Sequence, residues 1–381
     1  MSRLRRSFVA LATICAAASL YAAVEEQPSL KSLVPKGMLI GAALNQAQSD
    51  GRDTTSVGIV TRHFNTITPE NMLKWEVVHP EPNRYAFEAQ DRFVAFGQQH
   101  GMFVVGHTLV WHQQTPAWVF KGDDGKPIGR EALLERMRSH IETVVGRYRG
   151  RIHGWDVVNE ALAEDGMLRK SPWLDAIGED FIYKAFEFAH KADPGAQLYY
   201  NDYNLTTPAK RTGALRIVKE LKARGLRIDG VGEQGHWLLS HPSLANIEAA
   251  IAEIGAAAGK CHITELDVDV LPRDDGMYGA DLNARVKYKS ETNLYSNGLP
   301  AEKQRELAQR YSDIFKIFVK HRNVLARVTF WGVSDGSSWL DNFPVPGRVN
   351  HPLLWDRGGQ PKPALDAVVQ VLRESQKEQS E

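Results

Sequence analysis

From residue 38 onward, short apolar or β-branched runs alternate with amphipathic helical stretches, and few folds accept that alternation eight times. The candidate strands are Leu39 to Ala43, Thr66 to Thr68, Phe103 to His107, Gly154 to Val158, Gln197 to Asn201, Gly230 to Gly232, Cys261 to Leu266 and Arg327 to Trp331. Helical patterns fall between them, as at Glu131 to Tyr148, Phe181 to Ala192, Ala209 to Arg224, Leu244 to Ala256 and Ala301 to His321. Pro208 and Pro300 sit where first-turn prolines belong, because a helix start does not need their missing N–H. Eight strands separated by helices predict an α/β chain, either a closed parallel barrel or an open doubly wound sheet. No G-x-G-x-x-G follows the first strand, which counts against the dinucleotide-binding form of the open sheet. A length of 381 residues suits one barrel with insertions as well as two or three smaller domains. No tandem repeat, low-complexity linker or composition shift divides the chain. One long irregular stretch, about Asp269 to Pro300, follows the seventh strand, on what would be the C-terminal face of a barrel.

The first residues read as an address. Arg3, Arg5 and Arg6 precede an uncharged run from Ser7 to Val24, with acidic residues following at Glu25 and Glu26. A basic segment, an apolar segment and small residues toward its end predict a secretory signal over residues 1–23 and a secreted or periplasmic protein. An uncleaved anchor is the competing reading, since the run is near the lower limit for spanning. Its many alanines make it weakly apolar, which favours cleavage, and no other run is long enough to cross a membrane. Cys15 leaves with the signal, so Cys261 stays alone, without an intramolecular disulfide or a cysteine-rich zinc site. The 46 basic and 46 acidic side chains, with no dense basic run, exclude the positive footprint of a nucleic-acid binder. Without the three leading arginines, 43 basic groups face 46 acidic ones, which suits a mostly uncharged polymer as partner.

Chemistry concentrates where strands end. Gly154-Trp-Asp-Val-Val-Asn-Glu160 and His262-Ile-Thr-Glu265-Leu-Asp267 each close a strand with a carboxylate, and in a barrel those ends share one mouth. Cleaving a glycosidic bond requires two carboxyl groups across a pocket, one protonated to release the sugar oxygen and one ionised to attack the anomeric carbon. A barrel-mouth salt bridge is the bland alternative. Asn159 adds an amide able to hold a sugar hydroxyl. His236, two residues after Gln234, can contact Glu265 and be oriented by Asp267. The third strand opens Gly106-His-Thr-Leu-Val-Trp-His-Gln-Gln114, which reads as His107, Trp111, His112 and Gln114 crowded onto one short loop. The histidine spacing there, with no H-E-x-x-H and no intervening carboxylate, predicts no metal site. Trp331 closes the eighth strand and Trp339 follows it. Flat rings edged by polar groups suit pyranose faces, whereas Trp155, Trp173 and Trp355 read as core. Glu70, Asn71 and Lys74 can grip several hydroxyls, or merely form a solvated pair at i, i+4. His63, His140, His190 and His321 read as surface or packing residues.

Taken in order, these residues resemble the family 10 glycoside hydrolases, chiefly secreted endo-β-1,4-xylanases, from about Leu39 to Leu372. The motifs are T-P-E-N-x-x-K-W at 68–75, G-H-T-L-V-W-H at 106–112, W-D-V-V-N-E at 155–160 and N-D-Y-N at 201–204. Q-G-H-W at 234–237, I-T-E-L-D at 263–267 and T-F-W-G-V-S-D-G-S-S-W at 329–339 complete the set. The resemblance implies a single (β/α)8 TIM barrel spanning 38–376, after a leader at 24–37 and before a tail at 377–381. It implies a monomeric, cofactor-free hydrolase of xylan and xylo-oligosaccharides that retains anomeric configuration. By position Glu160 is similar to the family's acid/base and Glu265 to its nucleophile. Glu70, Asn71, Lys74, His107, Trp111 and Gln114 match the non-reducing side of the cut. Asn159, Gln234 and His236 match residues around the reacting sugar, Trp331 and Trp339 its aromatic walls, and Asn201 and Tyr203 the leaving-group side. The residues alone also admit a retaining β-1,4-glucanase or a sugar-binding barrel without activity.

Overall fold

The computed structural model describes residues 28–273, 280 and 293–378. The expected export signal, the start of the leader, much of the long irregular stretch and the last three residues lie outside those described. Among the described residues there are nine strands: β1 (Leu39–Leu44), β2 (Thr66–Pro69), β3 (Phe103–Val110), β4 (Gly154–Asn159), β5 (Gln197–Asp202), β6 (Gly230–Glu233), β7 (His236–Leu238), β8 (Cys261–Asp269) and β9 (Leu325–Phe330). All pair in parallel in the order β6-β5-β4-β3-β2-β1-β9-β8, and β6 pairs again with β8, so eight strands close a ring. A helix follows each ring strand, at Thr54–His63, Glu88–Gln99, Arg130–Arg147, Asp180–Ala192, Pro208–Ala223, Leu244–Ala258, Ala301–Lys320 and Pro363–Glu378. The chain is therefore a (β/α)8 barrel, and the open-sheet alternative is excluded.

The barrel explains why its strands are visible in the sequence. A strand covered by helices outside and by its neighbours inside is buried on both faces, so it reads as a continuous apolar run. β1 through β5 are buried almost without a break. Gly106 illustrates how tight this interior is: a Cβ there would lie 2.1 Å from the Trp155 ring. Overpacking of that kind costs about 1–3 kcal/mol, so only glycine lets Trp155 lie across β3. Helix starts are set by side chains that accept from free backbone N–H groups, such as Ser171, Ser243 and the Asn45–Gln48 capping box. Each such cap contributes about 1 kcal/mol.

Three boundary expectations need correction. Pro300 is the residue before the helix Ala301–Lys320 and caps it, whereas Pro208 does open its helix. Trp331 lies one residue beyond β9. β3 runs on to Val110, so His107 is a strand residue and the loop holds only Trp111, His112 and Gln114. The short β7, which pairs with β8 beyond the ring, was not anticipated. His140 stacks on Trp75 with ring centroids 3.6 Å apart, and His63 lies edge-on to Trp355 at 5.0 Å, both as packing residues.

One irregularity in β4 shapes everything at the mouth. Between Asp156 and Val158, β4 carries one residue more than β5 opposite it, and β3 in turn carries one residue more than β4 between His107 and Val110. Strict alternation would send Asp156 and Asn159 to opposite faces. The bulge re-aims the strand, so Asp156 reaches His107 while Asn159 and Glu160 turn to the mouth.

Candidate active site

A cleft opens at the C-terminal ends of the strands. Its walls are Glu70, Asn71, Lys74, His107, Trp111, Gln114, Asn159, Glu160, Gln234, His236, Glu265, Trp331 and Trp339, joined by Ala280. Asn201, Tyr203 and Asp267 do not line it; all three are buried behind its wall. Trp155, Trp173 and Trp355 are buried in the core.

Glu160 follows β4 with φ 55, a left-handed backbone that costs a non-glycine residue about 1–3 kcal/mol. Three bonds hold that turn. Its N–H donates to the Asn201 carbonyl at 2.8 Å, its carbonyl accepts from Arg169 Nε at 3.1 Å, and Arg169 also donates to the Leu162 carbonyl at 3.1 Å. The carboxyl accepts from Trp111 Nε1 at 2.9 Å, Gln234 Nε2 at 3.0 Å and Asn159 Nδ2 at 3.3 Å. Burial raises its pKa most, and the charge of Asp202 adds to that. The Gln234 and Trp111 bonds oppose them, Glu265 contributes last, and the result is about 7. Such a group is poised to hold a proton near neutrality.

Glu265 is set the other way. Burial pushes its pKa up, but a bond from His236 and the positive charges of His107, His236 and Lys74 bring it below the usual carboxylate range. One carboxylate oxygen meets His236 Nε2 at 3.1 Å and the other accepts from Asn201 Nδ2 at 2.9 Å. The Asn201 amide is oriented by Thr264, which donates to its oxygen at 2.7 Å. His236 is held from behind by Asp267 at 3.0 Å, and Trp339 Nε1 donates to the same Asp267 oxygen at 2.7 Å. Burial would lower the His236 pKa, yet Asp267 and Glu265 together raise it to about 10. Glu265 and Asp267 share a face because they stand two apart on β8. His236 therefore sits between two carboxylates as a cation.

The rest of the cleft is a polar grip with aromatic sides. Lys74 is buried, not solvated, and donates to Asn71 at 2.8 Å and Gln114 at 2.7 Å. Burial lowers its pKa, while Glu265, Glu70, Glu160 and Glu76 favour its charge. Gln114 in turn donates to Glu76 at 2.9 Å. Trp331 meets the His107 ring edge-on at 5.4 Å, and Trp339 stacks on Phe343 at 4.6 Å. Among the described residues, no group of three or more His, Cys, Asp or Glu side chains is arranged to hold a metal ion.

Asp156, Asp202, Lys210 and Arg169 were passed over by sequence reasoning. Asp156 holds His107 Nδ1 at 2.9 Å, and its place in W-D-V-V-N-E was the available signal. Asp202 stands inside N-D-Y-N, between the two residues singled out there. Tyr203 is not brought to the cleft: its hydroxyl meets Arg169 at 2.5 Å and its ring lies 3.4 Å from Lys210 Nζ. Arg169 and Lys210 carry no motif at all.

Comparison with known proteins follows the same line. The pattern described as Glycosyl hydrolase family 10 matches residues 29–371. The chain is 46% identical to Endo-1,4-beta-xylanase A of Xylanibacter ruminicola, covering 92% of this chain and 95% of that protein. It is 44% identical to Endo-1,4-beta-xylanase of Geobacillus stearothermophilus, covering 90% and 98%. The solved structure of a GH10 endoxylanase from a sugarcane soil metagenome superposes with a TM-score of 0.88 at 45% identity, covering 90% of this chain and all of that one.

Proposed function

The chain belongs to glycosyl hydrolase family 10, and from that premise we propose that it is an endo-1,4-β-xylanase working by retaining double displacement. The observation that carries this reading is the opposite bias of two carboxyl groups in one cleft, Glu160 raised to about 7 and Glu265 lowered. In the first step a Glu265 oxygen bonds to the anomeric carbon as the glycosidic C–O bond breaks. The departing oxygen takes the Glu160 proton. In the second step water gives a proton to Glu160 and its oxygen bonds to the anomeric carbon, returning Glu265 as a carboxylate. His236, held by Asp267, keeps Glu265 ionised and aimed. Glu70, Asn71, Lys74 and Gln114 supply donors and acceptors to xylosyl hydroxyls, with Trp331 and Trp339 against the sugar faces. Asn201 and Tyr203 act from below the cleft floor, through Glu265 and Arg169 respectively.

Initial rates on xylan and carboxymethyl-cellulose test the substrate class. Xylan should be cleaved faster by roughly 100-fold, the scale on which a shaped pocket rejects an added group. Equal rates would support a β-1,4-glucanase instead, and binding without new reducing ends a non-catalytic barrel.

A further inference from the structure

We propose that Asp202, clamped by Lys210, is a positioning residue for Glu160, anchoring the chain on both sides of it and fixing a negative charge behind its carboxyl. The inference rests on reading Glu160 as the acid/base. Asp202 ends β5 and is fully buried, as is Lys210, whose Nζ lies 3.1 Å from Asp202 Oδ1. Oδ2 accepts from the Tyr200 hydroxyl at 2.5 Å and from the N–H of Leu162, two residues after Glu160, at 3.3 Å. Oδ1 also accepts from the Tyr203 N–H at 2.9 Å. The Asp202 carbonyl accepts from the Gln234 N–H at 3.0 Å, and the Gln234 side chain reaches the Glu160 carboxyl. The preceding residue, Asn201, receives the Glu160 N–H and donates to Glu265. One buried carboxylate thus ties down the loop that follows Glu160 and the segment that carries its Gln234 partner.

An ion pair serving stability alone has no reason to stand here. A buried pair is often no better than a well-packed apolar substitute, and this one adds charge beside a carboxyl that must keep its proton. The charged and titratable groups around Glu160 are Asp202 on β5, Glu265 on β8, Lys74 after β2, Arg169 on the loop after β4, and Tyr203. Of the two carboxylates, Asp202 raises Glu160 more than Glu265 does. Burial raises the Asp202 pKa, while Lys210, Tyr200 and Arg169 pull it down toward the ionised form. Lys210 also bonds to the exposed Glu164 at 3.0 Å and feels Glu233. Because Asp202 stays in place through the cycle, its effect persists when Glu265 is esterified.

The test is the pH profile of kcat/KM on xylohexaose for the parent and for Asp202→Asn. Removing the charge makes Glu160 more acidic, so the alkaline limb should move down by roughly one pH unit, with the acid limb in place. The double variant Asp202→Asn/Lys210→Met removes both charges of the pair together, and, because the Lys210 charge opposes that of Asp202, should show a smaller shift in the same direction if the single variant does not fold. Glu160→Gln is the control. An alkaline limb that persists in Glu160→Gln overturns the acid/base assignment and this inference with it. A limb that Glu160 owns, but that stays put in the folded Asp202 variants, overturns this inference alone.

Discussion

Glu265→Ala should lose turnover on xylan by on the order of 10⁴- to 10⁶-fold, the scale seen when a covalent nucleophile is deleted. The loss is chemical, not structural. Asp267 still holds His236 at 3.0 Å, Thr264 still orients Asn201, and the side chains that grip the sugar are untouched. Xylohexaose should therefore bind within about tenfold of the parent, because those contacts are made in the ground state as well. Calorimetric binding beside a reducing-end assay separates the two quantities. Near-parental hydrolysis by the variant would remove Glu265 from the reaction. So would full rescue in Glu265→Gln, which keeps shape and loses only the anionic oxygen.

For Glu160→Ala the signature is a split between leaving groups. A xylosyl oxygen departs poorly without a proton, so xylan hydrolysis should fall by about 10²- to 10⁴-fold, the usual worth of a positioned acid. A dinitrophenyl xylobioside needs no protonation, and its bond cleavage should be nearly preserved. Its second step then lacks a base, so added azide should accelerate turnover and yield a β-glycosyl azide. Equal losses on both substrates would place Glu160 outside proton transfer. The parent should also lose kcat/KM above about pH 7, where Glu160 gives up its proton. Activity needs Glu160 protonated and Glu265 ionised, so the acid limb lies at the lowered pKa of Glu265.

The fold was legible because parallel barrel strands are buried on both faces and so write themselves as continuous apolar runs. All eight ring strands fall where those runs stand, within a few residues. What was not legible came from departures from that rule. β7 is three residues long and pairs beyond the ring, too short for any periodicity. His107 reads as a loop residue only if the end of β3 is placed early, and the bulge in β4 against β5 cannot be inferred from residue types. At the site, strand-end carboxylates announce themselves, but their environments do not. The proton on Glu160 invites Glu265 as its cause, since both stand out in the sequence. Burial comes first, however, and Asp202 second. Nothing in the spacing tells that Lys210, on the next helix, turns inward to cover Asp202.

The central claim is that Glu265 forms a covalent bond to the sugar, and trapping that species tests it most directly. A 2-deoxy-2-fluoro xylobioside with a dinitrophenyl leaving group slows both steps, but the activated leaving group lets the first proceed. Mass spectrometry of the digested protein should then find one 2-fluoroxylobiosyl group, on the peptide carrying Glu265. Stoichiometric release of dinitrophenolate with no adduct, or an adduct on a different carboxylate, would contradict the account.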